Sequence, residues 1–268
     1  MWASAPCVSA YAFLMDGVLR SGRFVAWGNA VLAGLVSPDT AAERITGRDC
    51  HRVRGLAGLD ESTLPVILAR LRTTGVTGLR LVLPVPGDLL GLPGPSAFNV
   101  DALEAGEAVL LDGPEAWGLI PSVLEANPDD CPGTSVHWLA ARVNNTGPID
   151  LPSLSEAERE LAETMRAATD ALDALDVARW RPEAADRISA IRSGNGADVL
   201  APGYPQRAHR VLALAQRVAA ITALAADDDG AAFNSRGMAG RDAELRPLAR
   251  AARRAQMAAY NAMIESRV

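Results

Sequence analysis

The sequence contains no lysine, so all 26 of its positive side chains are arginine. That absence excludes a P-loop lysine, a Schiff-base lysine for pyridoxal phosphate and any lysine nucleophile or base. Aromatic residues are scarce at 4%, and alanine and leucine must therefore fill most of the core. The cysteines number three, Cys7, Cys50 and Cys131. An odd, scattered set without C-x-x-C spacing reads as reduced thiols in a cytoplasmic protein. No window approaches the roughly 18 uncharged apolar residues of a membrane span. The apolar N-terminus has no basic residue before Arg20, which argues against a signal peptide.

Motifs of assignable chemistry are missing too. Cys50-His51 and Cys131 with His137 are the sulfur and imidazole pairs, but they lack the tight paired spacing of a zinc site. Neighbours on a strand point to opposite faces, so Cys50 and His51 do not share one metal. Nothing in the spacing sets His51, His137 or His209 beside a cysteine as a thiol dyad. Gly94-Pro95-Ser96-Ala97-Phe98 lacks the closing glycine of a nucleophile elbow. Asp227-Asp228-Asp229-Gly230 fails as a calcium loop, because Ala225 and Arg236 occupy essential ligand positions. There is no G-x-G-x-x-G phosphate loop after a strand. No catalytic residue, cofactor or metal is assigned.

What is present divides in two. With 49% hydrophobic and 22% charged residues in 268, the chain can build one large or two modest cores. Residues 1–152 hold 13 of the 17 prolines and 17 of the 23 glycines, the punctuation of short elements. Helices are expected over 23–36, from Ser37-Pro38-Asp39 to Gly47, from Ser62 to Gly75, and over 100–105 behind Asn99. Strands are expected over 50–56, 79–85, 107–111, 116–120 and 134–143, with a hairpin at 112–115. Residues 84–99 have too much proline and glycine for a helix or central strand, and too much leucine for a solvated linker. The reading is an α+β domain over 1–152.

The second part, 153–268, reads as an all-α bundle of about four helices. Ser155–Trp180 opens it, with Leu161, Met165, Ala168, Leu172 and Leu175 in one stripe and Ser155 and Glu158 as a capping box. A short helix over 183–192, a long one over 207–226 and a last one over 239–266 follow. The last helix gathers Arg246, Arg250, Arg253 and Arg254 in one arc, continued by Met257, Tyr260 and Ile264. That is a candidate docking face, basic and then apolar, for a protein partner or a second copy. The competing reading pairs these arginines with acids of the opening helix. From Ser153 onward 16 arginines balance 16 acids, and the overall net charge is −6, a distribution unlike that of a general nucleic-acid binder.

Gly87-Asp88, Leu92-Pro93-Gly94-Pro95, Phe98-Asn99, Glu104 to Val109, Asp176 to Pro182, Pro202-Gly203-Tyr204-Pro205 and Leu245-Arg246-Pro247-Leu248 together resemble an uncharacterised protein family of high-GC bacteria. The resemblance spans roughly residues 80–260 and implies no activity, site or substrate. The functional expectation is therefore a non-enzymatic, cytoplasmic protein-interaction or scaffold protein acting through its helical half, with neither nucleic acid nor membrane as partner. The alternative is a small-molecule-binding domain or enzyme whose pocket lies between loop 84–99 and that half. Asp88 and Asn99 would line such a pocket, and Glu104 and Glu107 are the next carboxylates in sequence.

Overall fold

Short apolar runs over 108–142 and glycine-stopped helices before them build a mixed α/β layer. A computed structural model describes residues 19–56, 58–89, 91–124, 131, 133–144, 151–174, 199–227 and 235–265. The elements in chain order are α1 (Arg20–Leu32), α2 (Pro38–Thr46), β1 (Cys50–Arg54), β2 (Glu61–Thr63), α3 (Leu64–Thr73), β3 (Gly78–Val82), α4 (Ser96–Ala105), β4 (Ala108–Asp112), β5 (Trp117–Leu124), β6 (Ser135–Arg142), α5 (Leu154–Ala174), α6 (Gln206–Asp227) and α7 (Ser235–Glu265). The strands form one six-stranded sheet in the order β2-β1-β6-β5-β4-β3. Of its pairings only β1 with β6 is parallel, with Cys50 beside Ser135 and Arg52 beside His137.

Local chemistry explains most boundaries. Ser37 caps α2 by accepting from the Thr40 N–H, and Pro38 takes the first turn, where no amide hydrogen is needed. The expected hairpin joins β4 to β5 across residues 113–116. Three expectations shift. Ser62, expected to open a helix, lies in the unforeseen strand β2, and α3 begins at Leu64. The capping box of α5 lies two residues upstream, where the Ser153 N–H donates to Glu156 and the Glu156 N–H to Ser153 Oγ. Helix α4 begins at Ser96, and Asn99 sits inside it with Oδ1 accepting the Gly94 N–H.

One face of the sheet carries α1 and α3, and α4 packs on the other through Phe98 against Gly118. α7 packs on α5 and α6 and also on α1 and β3, so one hydrophobic core runs through both parts of the chain. Three long helices make up the described C-terminal part. The fourth expected there, over 183–192, and the end of the opening helix, 175–180, lie outside the described residues. Among the described residues no helix is long and apolar enough to cross a membrane.

Strand β3 is an edge of the sheet, with backbone groups facing away from β4 and in need of partners. Two asparagines supply them. Asn29 of α1 donates to the Leu79 carbonyl at 2.8 Å and accepts its N–H at 2.9 Å. Asn261 of α7 does the same at Leu81, at 3.1 and 2.8 Å. Each carboxamide imitates the peptide of a neighbouring strand, and both residues are buried. Close approach of the helices supports this seal. A Cβ on Gly22 of α1 would sit 2.5 Å from Cζ of the fully buried Tyr260, and the Tyr260 carbonyl accepts the Tyr204 hydroxyl at 2.6 Å.

The same junction holds a buried acid. Glu107 accepts the Ser21 N–H in the first turn of α1 at 2.9 Å, and its Oε1 has no hydrogen-bond partner among the described residues. Burial raises its pKa to about 7, against the opposing pull of the Ser21 hydrogen bonds and Arg20.

Replacing Asn261 with alanine leaves a buried N–H and a buried carbonyl unpaired, a loss of about 2–4 kcal/mol, readable in urea unfolding, and Asn29→Ala behaves alike. Because the Glu107 pKa is raised on folding, the native chain holds a proton that the unfolded chain releases, and stability falls as pH rises from 4.5 towards about 7. Glu107→Gln is therefore expected to stabilise the protein at pH 8 by about 2–3 kcal/mol and to change little at pH 4.5, as thermal unfolding at the two pH values would show.

Candidate functional site

The parallel pairing of β1 and β6 brings together residues far apart in sequence. Asp49, just before β1, holds the start of the pair. One of its carboxylate oxygens accepts the Thr134 N–H at 3.0 Å and the other meets Arg20 at 3.2 Å. Cys50 and Cys131 are joined in a disulfide, with Cα atoms 6.0 Å apart. This corrects the expectation of reduced thiols: a spacing of 81 residues gave no hint of a pair that the β1–β6 register brings side by side. The expected divergence of Cys50 and His51 does hold, since His51 turns into the core while Cys50 lies on the other face.

Around this strand end lies a polar cleft of about 680 Å³, walled by Asp39, Glu43 and Thr46 of α2, the first turn of α3, the disulfide, and Arg52, Glu61, Ser135 and His137 of the sheet. Leu124, paired with Ser135 across β5 and β6, forms its apolar rim. The N-cap residue of α3, Thr63, makes no side-chain cap, and Pro65 occupies the first turn.

Both imidazoles in the cleft have pKa values pushed below the ordinary histidine value. Burial drives the His51 pKa down to about 4, helped by Arg20 and Arg23 and opposed by Asp49. His51 Nδ1 accepts the Trp138 indole N–H at 3.1 Å, which places its own proton on Nε2, where no partner stands among the described residues. His137 is lowered by partial burial and then by Arg54, with Glu61 opposing. Its Nε2 lies 3.2 Å from Ser135 Oγ, while Nδ1 has no acceptor among the described residues. Glu61, the nearby carboxylate, is taken by Arg54 at 2.6 Å and Arg52 at 3.7 Å. A serine–histidine pair with nothing holding the far nitrogen lacks the orienting third group of a hydrolytic triad. Among the described residues no cluster of three or more histidine, cysteine or acidic groups could hold a metal.

Residues 21–152 match the family described as Rv1486c-like protein, N-terminal domain, and residues 155–257 match its C-terminal domain. The chain belongs to the Rv1486c-like family. Its relatives include the uncharacterized protein Rv1486c of Mycobacterium tuberculosis, 29% identical across 90% of this chain and 95% of that one. The uncharacterized protein ML1804 of Mycobacterium leprae is 28% identical across 99% of this chain and 89% of its own length. No solved structure matches.

In this Rv1486c-like chain five of the residues singled out along the last helix, Arg250, Arg253, Arg254, Met257 and Tyr260, meet the chain itself. Arg253 and Arg250 both reach the Asp88 carboxylate of loop 84–99, Arg250 at 3.1 Å, and Arg254 lies 3.4 Å from Glu160 of α5. Arg246 remains exposed. Met257 and Tyr260 are buried, as is every residue from 255 to 263. Of the basic and then apolar face read in sequence, Arg250 and Arg253 meet the α/β half and Arg254 meets α5, while the side chain of Ile264 lies outside the described residues. Asp88 and Asn99 do not converge, since Asp88 serves α7 and Asn99, inside α4, accepts the Gly94 N–H just ahead of that helix. Glu104 is exposed on α4, and Glu107 is buried at the start of α1.

Sequence reasoning weighed the cysteines and histidines only as pairs and missed Ser135 altogether. The available signal was the spacing of two between Ser135 and His137 on a strand, which sets both on one face.

His51 generates an acid limb of stability. With a folded pKa near 4 against 6.5 in the unfolded chain, the unfolded imidazole takes up a proton first as pH falls, so stability is full above 6.5 and is lost towards 4. The loss amounts to about 3 kcal/mol. His51→Gln, whose carbonyl can still accept from Trp138, should flatten that limb when urea midpoints at pH 7 and pH 4.5 are compared.

Proposed function

We propose that the protein works by non-covalent binding rather than by catalysis, and that its site is the polar cleft at the shared end of β1, β2 and β6. The observation that carries this reading is the state of the two histidines. Asp49 and Glu61 act on them only at a distance: among the described residues neither ring makes a hydrogen bond to a carboxylate, the contact that would orient it as an acid–base catalyst. What remains is a set of hydrogen-bonding groups, Ser135, His137 and the uncapped first turn of α3, suited to a small polar molecule.

A second reading takes a protein as the partner on the same sheet face. It is favoured by Leu124 and Leu139, which flank His137 and are 40% and 41% exposed. This moves the expected interaction surface away from the α7 arginines, three of which face carboxylates of the same chain.

Thermal-shift screening against small polar compounds tests the first reading. A hit in the cleft loses its shift in His137→Leu and keeps it in Arg246→Glu, a control on the far helix. Shifts that survive His137→Leu would remove the cleft as the site. Faster hydrolysis of p-nitrophenyl acetate by the wild-type chain than by Ser135→Ala would make the protein an enzyme. Retention of a partner that is lost on Leu139→Glu would establish the second reading.

A further inference from the structure

At the opposite end of α3 from the cleft, the same helix walls a second cavity of different chemistry. It measures about 400 Å³ and lies between α3, the β1–β2 loop and the β4–β5 hairpin. Its floor is apolar and buried: Leu56, Ile67, Leu71 and Leu111 are each 5% exposed or less. Trp117 forms one side wall. Charged groups stand only at the mouth.

Those charges are not balanced. Glu115 is occupied, accepting the Trp117 indole N–H at 3.3 Å and meeting Arg142 at 3.0 Å. Arg142 in turn lies over the Trp117 ring, 4.4 Å from its centre. Arg70, in the last turn of α3, lines the same mouth and is exposed, with no carboxylate within ion-pair reach among the described residues. Two of the last four carbonyls of α3, which would otherwise repel an anion, are engaged: Thr73 Oγ1 donates to the Arg70 carbonyl and Thr74 Oγ1 to that of Leu71. Arg70 and Arg142 against Glu115 leave one positive charge over an apolar shaft.

We infer that this cavity binds a hydrophobic monocarboxylate, its alkyl chain against the apolar walls and its carboxylate on the Arg70 guanidinium. A neutral apolar molecule would find the same walls but leave Arg70 unmatched. A dicarboxylate would have to bury its second charge.

Calorimetric titration of the full chain with octanoate and, separately, with 1-octanol tests this directly. Octanoate is expected to bind at least tenfold more tightly than octanol. In Arg70→Gln, a change at an exposed side chain, octanoate should fall to the level of octanol. Leu59→Trp, which fills the cavity from the loop, should abolish both. Equal affinity of the two ligands in the wild-type chain, or octanoate binding unchanged in Arg70→Gln or in Leu59→Trp, overturns the proposal, as does absence of octanoate binding at millimolar concentration. None of these results bears on the polar cleft, which lies at the other end of α3.

Discussion

The outward backbone groups of β3 are the constraint to which the rest of the structure answers. A buried strand edge must be paired, and among the described residues no seventh strand does it. Two carboxamides, Asn29 and Asn261, stand in for the missing neighbour. The first comes from a helix that crosses the sheet. The second comes from the far end of the chain, 180 residues beyond the strand it serves. Sealing the edge therefore requires α7 to lie against the α/β layer, and that requirement buries Tyr260 on Gly22 and brings Arg253 to Asp88.

Much of the layer was legible in sequence because its signals are local. Ser37-Pro38 opening α2, glycine closing it, the 112–115 hairpin and the apolar runs of β3 to β6 all depend on residues within a few positions of one another. The C-terminal half misled in an instructive way. Its last helix shows apolar residues on two sides, a pattern that separates into core face and docking face if the helix has only helical neighbours. With a sheet layer as a further neighbour, the second face becomes core as well. A helix that is apolar nearly all round over 255–263 is buried on every side.

The cleft was the least legible part, for a physical reason. Its components come from the parallel β1–β6 pair, whose strands are joined by a long excursion through the rest of the sheet. Parallel partners cannot be found from turn chemistry, since no short turn connects them. Cys50 and Cys131 become neighbours only through that register, as do Ser135 and the first turn of α3. Short-range spacing could have flagged Ser135 with His137 but not the walls around them.

The manner in which the sheet ends also limits how the molecule meets others. One margin is occupied by side-chain amides on buried asparagines, so an extended segment of another chain has no row of free peptide groups to extend there. The other margin, β2, is three residues long and carries Glu61 in contact with Arg52 and Arg54. A short charged margin is a poor template for strand addition. Association through continued hydrogen-bonded sheet, including ordered aggregation, is thereby disfavoured at both ends, and whatever this protein holds it must hold against its faces and cavities.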